Sequence, residues 1–278
     1  MLKVLHKIKK NLTPPIKLYW WRLNEGRTNQ PGNFGDEITK EIIENVFHRR
    51  VEWSEFENCD IVGAGSIIEE VTKNKKTNQP YLWGSGFIEA GNLTISPKDY
   101  KILAVRGKQS LQRIVNPPST ITLGDPGLLA SLVLPTPTKD HSVGLVPHYA
   151  DMDNPLIIEL AKRGVKIIDA TWPCKTVLRE IAKCDAILSS SMHGLIVADS
   201  FGVPNLHLKL SDKLKGGSYK FNDYYSIFSV PRYQAITPKD IENLSIDNLK
   251  SYIRANSVSV SNTEMSAIKQ RLIDTFPY

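Results

Sequence analysis

Short apolar runs, many of them β-branched and bounded by Gly, Pro, Asn or Asp, alternate with helical stretches along most of this chain. No other feature narrows the fold as far, because strand–helix alternation predicts parallel sheets covered by helices on both faces. Strands are predicted over 61–64, 81–83, 102–105, 120–123, 143–147, 165–169, 186–189 and 205–208. Helices are predicted over 36–47, 108–115, 154–163, 174–184, 193–201, 238–255 and 262–275. In the first helix Ile38, Ile42, Ile43, Val46 and Phe47 form one apolar stripe. The stretch Leu134-Pro-Thr-Pro-Thr-Lys-Asp-His141 has linker composition and lies between two apolar strands. A chain of 278 residues has room for two domains. The expected division is an N-terminal α/β domain over 1–135 and a C-terminal α/β domain with closing helices over 136–278. Residues 211–225 contain Gly216-Gly217 and no clear period, and read as a mobile loop near the cleft.

The formal charge of +6 is concentrated at one end. Residues 1–24 hold Lys3, Lys7, Lys9, Lys10, Lys17 and Arg22 and no acid, so the remainder is neutral. A neutral body argues against nucleic acid as a partner, which needs a basic face across the domain. Leu2, Leu5, Ile8 and Leu12 recur at helical spacing among the lysines. The favoured reading is a basic surface helix packed on the body; the second is a peripheral contact with an anionic inner membrane surface. No apolar run approaches the roughly 18–20 residues that span a bilayer. The three cysteines form no CxxC pair, and no secretory signal is visible, so the expected location is cytoplasmic.

Ligands in open parallel sheets bind beyond the carboxyl ends of the strands, so the residues after each predicted strand are the candidate site. They are Arg106-Gly107, Gly124-Asp125-Pro126-Gly127, Pro147-His148-Tyr149 and Ser189-Ser-Ser-Met-His193-Gly194. In the last of these, Ser190 and Ser191 precede a helix start, an anion site by its unpaired N–H groups and dipole. Gly194 would let a ligand approach the backbone, and His193 would serve as general acid or base. The bland alternative is a serine cap and a structurally satisfied histidine. Arg106 either grips an anion in bidentate fashion or pairs with a nearby acid such as Asp125. Asn33-Phe-Gly-Asp36 precedes the first helix, where Asp36 either deprotonates a hydroxyl or belongs to a capping turn. His148 is a second acid/base or a hydrogen-bonding group across the cleft. Lys220 either closes over an anion from the mobile loop or is a solvated surface lysine. P-loop, dinucleotide, zinc and nucleophile-elbow signatures are missing.

Taken in order, Asn33-Phe-Gly-Asp36, Gly63-Ala-Gly-Ser66, Trp83-Gly-Ser-Gly-Phe87, Val105-Arg-Gly107, Leu123-Gly-Asp-Pro-Gly127, Val146-Pro-His-Tyr149, Ser189-Ser-Ser-Met-His-Gly194 and Lys220-Phe-Asn-Asp-Tyr-Tyr225 resemble the polysaccharide pyruvyltransferase family. The likeness is to the bacterial branch that decorates exopolysaccharides. It implies two Rossmann-like domains facing a cleft, a GT-B-like fold. It implies no cofactor, phosphoenolpyruvate as donor substrate, and a lipid-linked or polymeric glycan as acceptor. It carries phosphoenolpyruvate binding onto Arg106 and His193. Candidate catalytic groups are then His193, Asp36 and His148. Candidate substrate-binding residues are Arg106, Ser190, Ser191, Gly194, Asn33, Asp125, Tyr149 and Lys220, with no metal. Some members have Arg where this chain has Ser191, so other cations such as Lys220, or the helix terminus, would hold the donor here. The alternative activity is a GT-B-like nucleotide-sugar glycosyltransferase. The non-enzyme alternative is a sugar-phosphate-binding or scaffold protein of an envelope assembly.

Overall fold

A computed structural model describes residues 13–22, 32–72, 78–229 and 233–278. The amphipathic stretch 2–12 lies outside the described residues. The first half builds a six-stranded sheet from β1 (Ile16–Tyr19), β2 (Val51–Trp53), β3 (Ile61–Val62), β4 (Tyr81–Ser85), β5 (Lys101–Val105) and β6 (Thr122–Leu123). Their order is β2-β1-β3-β4-β5-β6, and every pair is parallel. The second half builds a four-stranded parallel sheet from β7 (His141–Val146), β8 (Lys166–Ile167), β9 (Cys184–Ser189) and β10 (Asn205–His207), in the order β10-β9-β7-β8. Two Rossmann-like α/β units therefore face each other, as expected.

The strand order matters for function. From β1 the chain turns to β2 on one side, then returns to place β3 on the other. From β7 it turns to β8 on one side, then places β9 on the other. Each reversal leaves a crevice at the carboxyl ends of the divided pair, where loops diverge to opposite faces. The two crevices lie opposite one another.

Helices α1 (Phe34–Asn45), α2 (Ile68–Thr72) and α3 (Lys108–Leu111) belong to the first half. Those of the second are α4 (Pro155–Lys162), α5 (Cys174–Ala182), α6 (Met192–Ser200), α7 (Tyr219–Tyr225), α8 (Ile246–Asn256) and α9 (Asn262–Asp274). Starts follow local chemistry. Asn33 caps α1 by accepting from the Gly35 N–H, and Asn154, Ser245 and Ser261 cap α4, α8 and α9 in the same way. One apolar core joins the halves: Ile38 and Ile42 of α1, Leu128 and Leu129 of the 3-10 helix Pro126–Leu132, Leu178 of α5 and Ile196 of α6 belong to a single cluster. Helix α9 returns to the first sheet, where Trp83 donates through Nε1 to the Leu272 carbonyl at 3.2 Å. Among the described residues no helix is long and apolar enough to cross a membrane.

Three expectations change. Strands β1 and β2 were not predicted; they follow a proline pair and a basic run, and β2 is three residues of half-exposed edge. The helix expected over 238–255 splits into a 3-10 turn, Pro238–Asp240, and α8, because Ser245 caps a new start. The mobile loop expected over 211–225 ends in α7, with Lys220, Phe221, Asp223, Tyr224 and Tyr225 all buried. Burial of five of its seven residues, Lys220 and Asp223 among them, leaves little polar face, so the segment has no amphipathic period to read.

Candidate active site

A cavity of about 360 Å³ opens between the two crevices. The segment after β1 supplies Trp21, and α1 with its cap supplies Asn33 and Asp36. The loop after β3 supplies Gly65, Ser66 and Ile67. His148 and Tyr149 follow β7, Ser191, Met192 and His193 follow β9, and Lys220 projects from α7. Glu69, Glu70, Ile88 and Lys215 complete the lining.

Of the predicted residues, Asn33, Asp36, His148, Tyr149, Ser191, His193 and Lys220 meet on this cavity. Four do not line it. Gly194 faces the sheet: a Cβ there would crowd Ser189 Oγ and Val146, so its bareness serves packing rather than ligand approach. The Ser190 hydroxyl donates to Asp151 Oδ2 at 2.7 Å and accepts from the His148 N–H at 2.8 Å, which holds the His148 loop in place. Asp125 is fully buried behind His193. Arg106, also fully buried, does not pair with Asp125; its Nε meets Asp223 Oδ2 at 3.0 Å, and its other nitrogens donate to Ser66 Oγ and the Phe87 carbonyl. Trp21, Ser66, Glu69, Glu70 and Lys215 were not predicted. Only Ser66 had a signal, its place after the glycines that follow β3.

His193 is held on three sides. Its Nε2 lies 3.6 Å from Asp125 Oδ2, and neither atom has a hydrogen-bond partner among the described residues. Asp125 Oδ1 is already occupied by the Gly127 N–H at 2.8 Å, so Oδ2 is the oxygen left for the imidazole. The Phe34 ring stands edge-on, with centroids 6.4 Å apart. The ring's Nδ1 rests over Gly35, where any Cβ would collide with it. The glycine of Asn33-Phe-Gly-Asp36 is thus explained by a histidine 158 positions away in the chain.

The charged groups around the cavity are tuned by burial. Burial raises Asp36 to about 6 against the opposing pull of His193 and Lys220, so it is mostly a carboxylate at neutral pH. Burial, reinforced by Lys220, lowers His148 to about 4. Its Nδ1 accepts from the Ala150 N–H at 3.2 Å, so the neutral ring presents Nε2–H as a donor. Burial and the Arg106 charge lower Lys220 to about 8, while Asp36 and Asp151 oppose them. The Lys220 side chain is 8% exposed and makes no hydrogen bond or ion pair with any described residue. An ammonium desolvated without a partner is costly unless something else brings the opposite charge. The arrangement can therefore bind a small anion between Lys220 and the N-terminus of α6, with a histidine, a carboxylate and a neutral imidazole at hand.

The family model for polysaccharide pyruvyl transferase matches residues 3–212. The succinoglycan biosynthesis protein ExoV of Rhizobium meliloti (strain 1021) is 28% identical over 226 residues, 77% of this chain and 66% of the relative. An uncharacterized protein of Acanthamoeba polyphaga mimivirus is 26% identical over 262 residues, 87% of this chain and 86% of the relative. Among solved structures, an uncharacterized protein of Klebsiella pneumoniae subsp. pneumoniae NTUH-K2044 shares 14% identity at a TM-score of 0.47, covering 85% of this chain and 98% of that one.

Proposed function

The chain belongs to the polysaccharide pyruvyl transferase family, and we propose that it transfers the pyruvyl group of phosphoenolpyruvate to two hydroxyls of one sugar in a surface-glycan precursor. The coarser statement, a transferase of pyruvyl groups in polysaccharide biosynthesis, follows from the family. The donor and acceptor are our reading. The observation that carries it is the nine-tenths buried Lys220 ammonium, which forms no ion pair with any described residue, on the same cavity as His193. Phosphoenolpyruvate is a small donor with a phosphate and a carboxylate, which would offset that desolvated charge.

In this reading Lys220 and the first turn of α6 hold the donor's anionic groups. His193 gives a proton to the methylene carbon, making C2 electrophilic. One sugar hydroxyl attacks C2 and yields its proton to Asp36. Phosphate leaves, the second hydroxyl closes on C2, and a cyclic ketal results. One hydroxyl proton thus replaces the proton spent on the new methyl group, and the other leaves with phosphate. His148 is neutral at working pH, so it orients an oxygen through Nε2–H rather than protonating carbon. Positioning and fixed charge supply most of the acceleration. Phosphoenolpyruvate and a lipid-linked acceptor meet at the inner face of the plasma membrane, which is where we place the reaction.

The test is to incubate the protein with phosphoenolpyruvate, or with nucleotide sugars, plus lipid-linked oligosaccharides. Phosphate release with a matching gain in acceptor mass is the expected result. Nucleotide release would replace this reading with glycosyl transfer; saturable sugar binding without turnover of any donor would replace it with a binding protein. A sharper expectation concerns Gly35→Ala. The methyl group must push the imidazole aside, and a displacement on the order of 1 Å costs about 10²-fold in turnover. Steady-state phosphate release should show that loss, with the melting temperature lowered only slightly. Equal turnover by both proteins would mean the ring's position is not critical.

A further inference from the structure

Behind the cavity wall, the two halves are tied by a buried charge pair. Arg106 follows β5 in the first half, Asp223 lies on α7 in the second, and both side chains are fully buried. Asp223 is saturated. Its Oδ2 accepts from Arg106 Nε at 3.0 Å and from Ser110 Oγ at 2.6 Å, and its Oδ1 accepts from the Ser110 N–H at 2.9 Å. Next to it, Ser226 Oγ accepts from the Lys108 N–H at 2.8 Å. Side chains of α7 and its C-cap residue thus satisfy first-turn N–H groups of α3, whose own cap residue, Gly107, has no side chain to do so. Gly107 is extended, so the reason for glycine is closeness: any Cβ would collide with the Asp223 carbonyl.

Lys220 is one helical turn before Asp223, so fixing one fixes the other. We propose that the Arg106–Asp223 pair is a clamp between the halves that holds the Lys220 ammonium in the cavity, and that Arg106 serves the donor through Lys220 rather than by touching it. Arg106 is then a positioning residue. Its guanidinium is fully buried and does not line the cavity, while Ser66, which it holds, does. This inference rests on reading Lys220 as the donor's cation, but the clamp itself is testable without turnover. The charges facing Lys220 are Arg106 from β5, Asp36 from α1, His148 and Asp151 after β7, and His207 from β10. Of these, the clamp variants remove only Arg106.

The experiment is trinitrobenzenesulfonate labelling of Lys220 against pH in the full chain without substrate, read by peptide mass spectrometry. Wild-type labelling should have its midpoint at about 8. Replacing both partners, Arg106→Met with Asp223→Asn, leaves neither charge of the pair buried alone and is compatible with folding. It should move the midpoint up, because the Arg106 charge that lowers Lys220 is gone, and so cut labelling at pH 8. It should also raise the phosphoenolpyruvate concentration that half-protects Lys220 by about tenfold. Should that variant not melt cooperatively, Gly107→Ala pushes α7 off α3 with every charge retained, and the same loss of protection is expected. An unchanged midpoint and unchanged protection in a folded variant overturn the clamp. If phosphoenolpyruvate fails to protect Lys220 even in the wild type, the donor assignment falls instead, and the labelling midpoint of Gly107→Ala, which keeps every charge, decides the clamp: a shifted midpoint supports it and an unchanged one overturns it.

Discussion

Alanine at His193 should slow phosphate release from phosphoenolpyruvate by about 10²–10⁴-fold, the usual worth of a positioned proton donor. Donor affinity should change little, because Lys220 and the start of α6 remain. The loss should therefore appear in kcat rather than KM, the mark of an interaction made mainly in the transition state. The imidazole is built in from both sides, with Asp125 behind Nε2 and Gly35 beneath Nδ1. The 3.6 Å gap to Asp125 suits a contact that tightens when substrate fills the cavity. Initial-rate measurements at saturating donor decide the matter. A rate equal to wild type would take the proton-donor role away from His193.

Methionine at Lys220 should have two opposite effects. Donor KM should rise about 10²-fold, since a charge-assisted contact worth about 3 kcal/mol is lost. Stability should increase. The folded state holds the Lys220 proton less tightly than the unfolded chain, with a pKa of about 8 against 10.5. The cost of burying the charge is therefore fully present below about 8 and fades as pH rises from there towards 10.5. At neutral pH methionine removes a penalty of about 3 kcal/mol at most. Thermal melts at pH 7 should show the variant more stable, and the gap should close in alkaline solution. A variant less stable than wild type at pH 7 would mean that Lys220 has a partner in the fold and is not held ready for a ligand. A residue that weakens the fold and strengthens binding is one that function keeps in place.

Much of the scaffold was legible because it is written in short stretches. A buried parallel strand needs only a few consecutive apolar residues, so β3 to β10 were found within a few positions of their observed bounds. Helix starts at Asn33, Asn154 and Ser261 follow from one side chain reaching an N–H two or three residues on. Strand-end residues were legible for the same reason, and His148, Tyr149, Ser191 and His193 do reach one cavity, together with Asp36 from the start of the first helix. Helix α7 was not legible, because a segment that buries most of its residues, charged ones included, loses the polar face that gives a helix its period. Asp125 looked like a ligand contact or a partner for Arg106, yet stands behind His193; the choice depends on which way a 3-10 turn points after β6.

The order of residues alone determined that strands and helices alternate, that the sheets are parallel, and that imidazole and carboxylate groups cluster where strands end. Those are matters of neighbouring side chains and local backbone preference. Only the assembled molecule decided the partners of its buried charges: Asp223 for Arg106 across 117 positions, and no acid among the described residues for Lys220. A charge taken out of water is governed by whatever lies within a few ångströms of it, and chain order does not specify that distance.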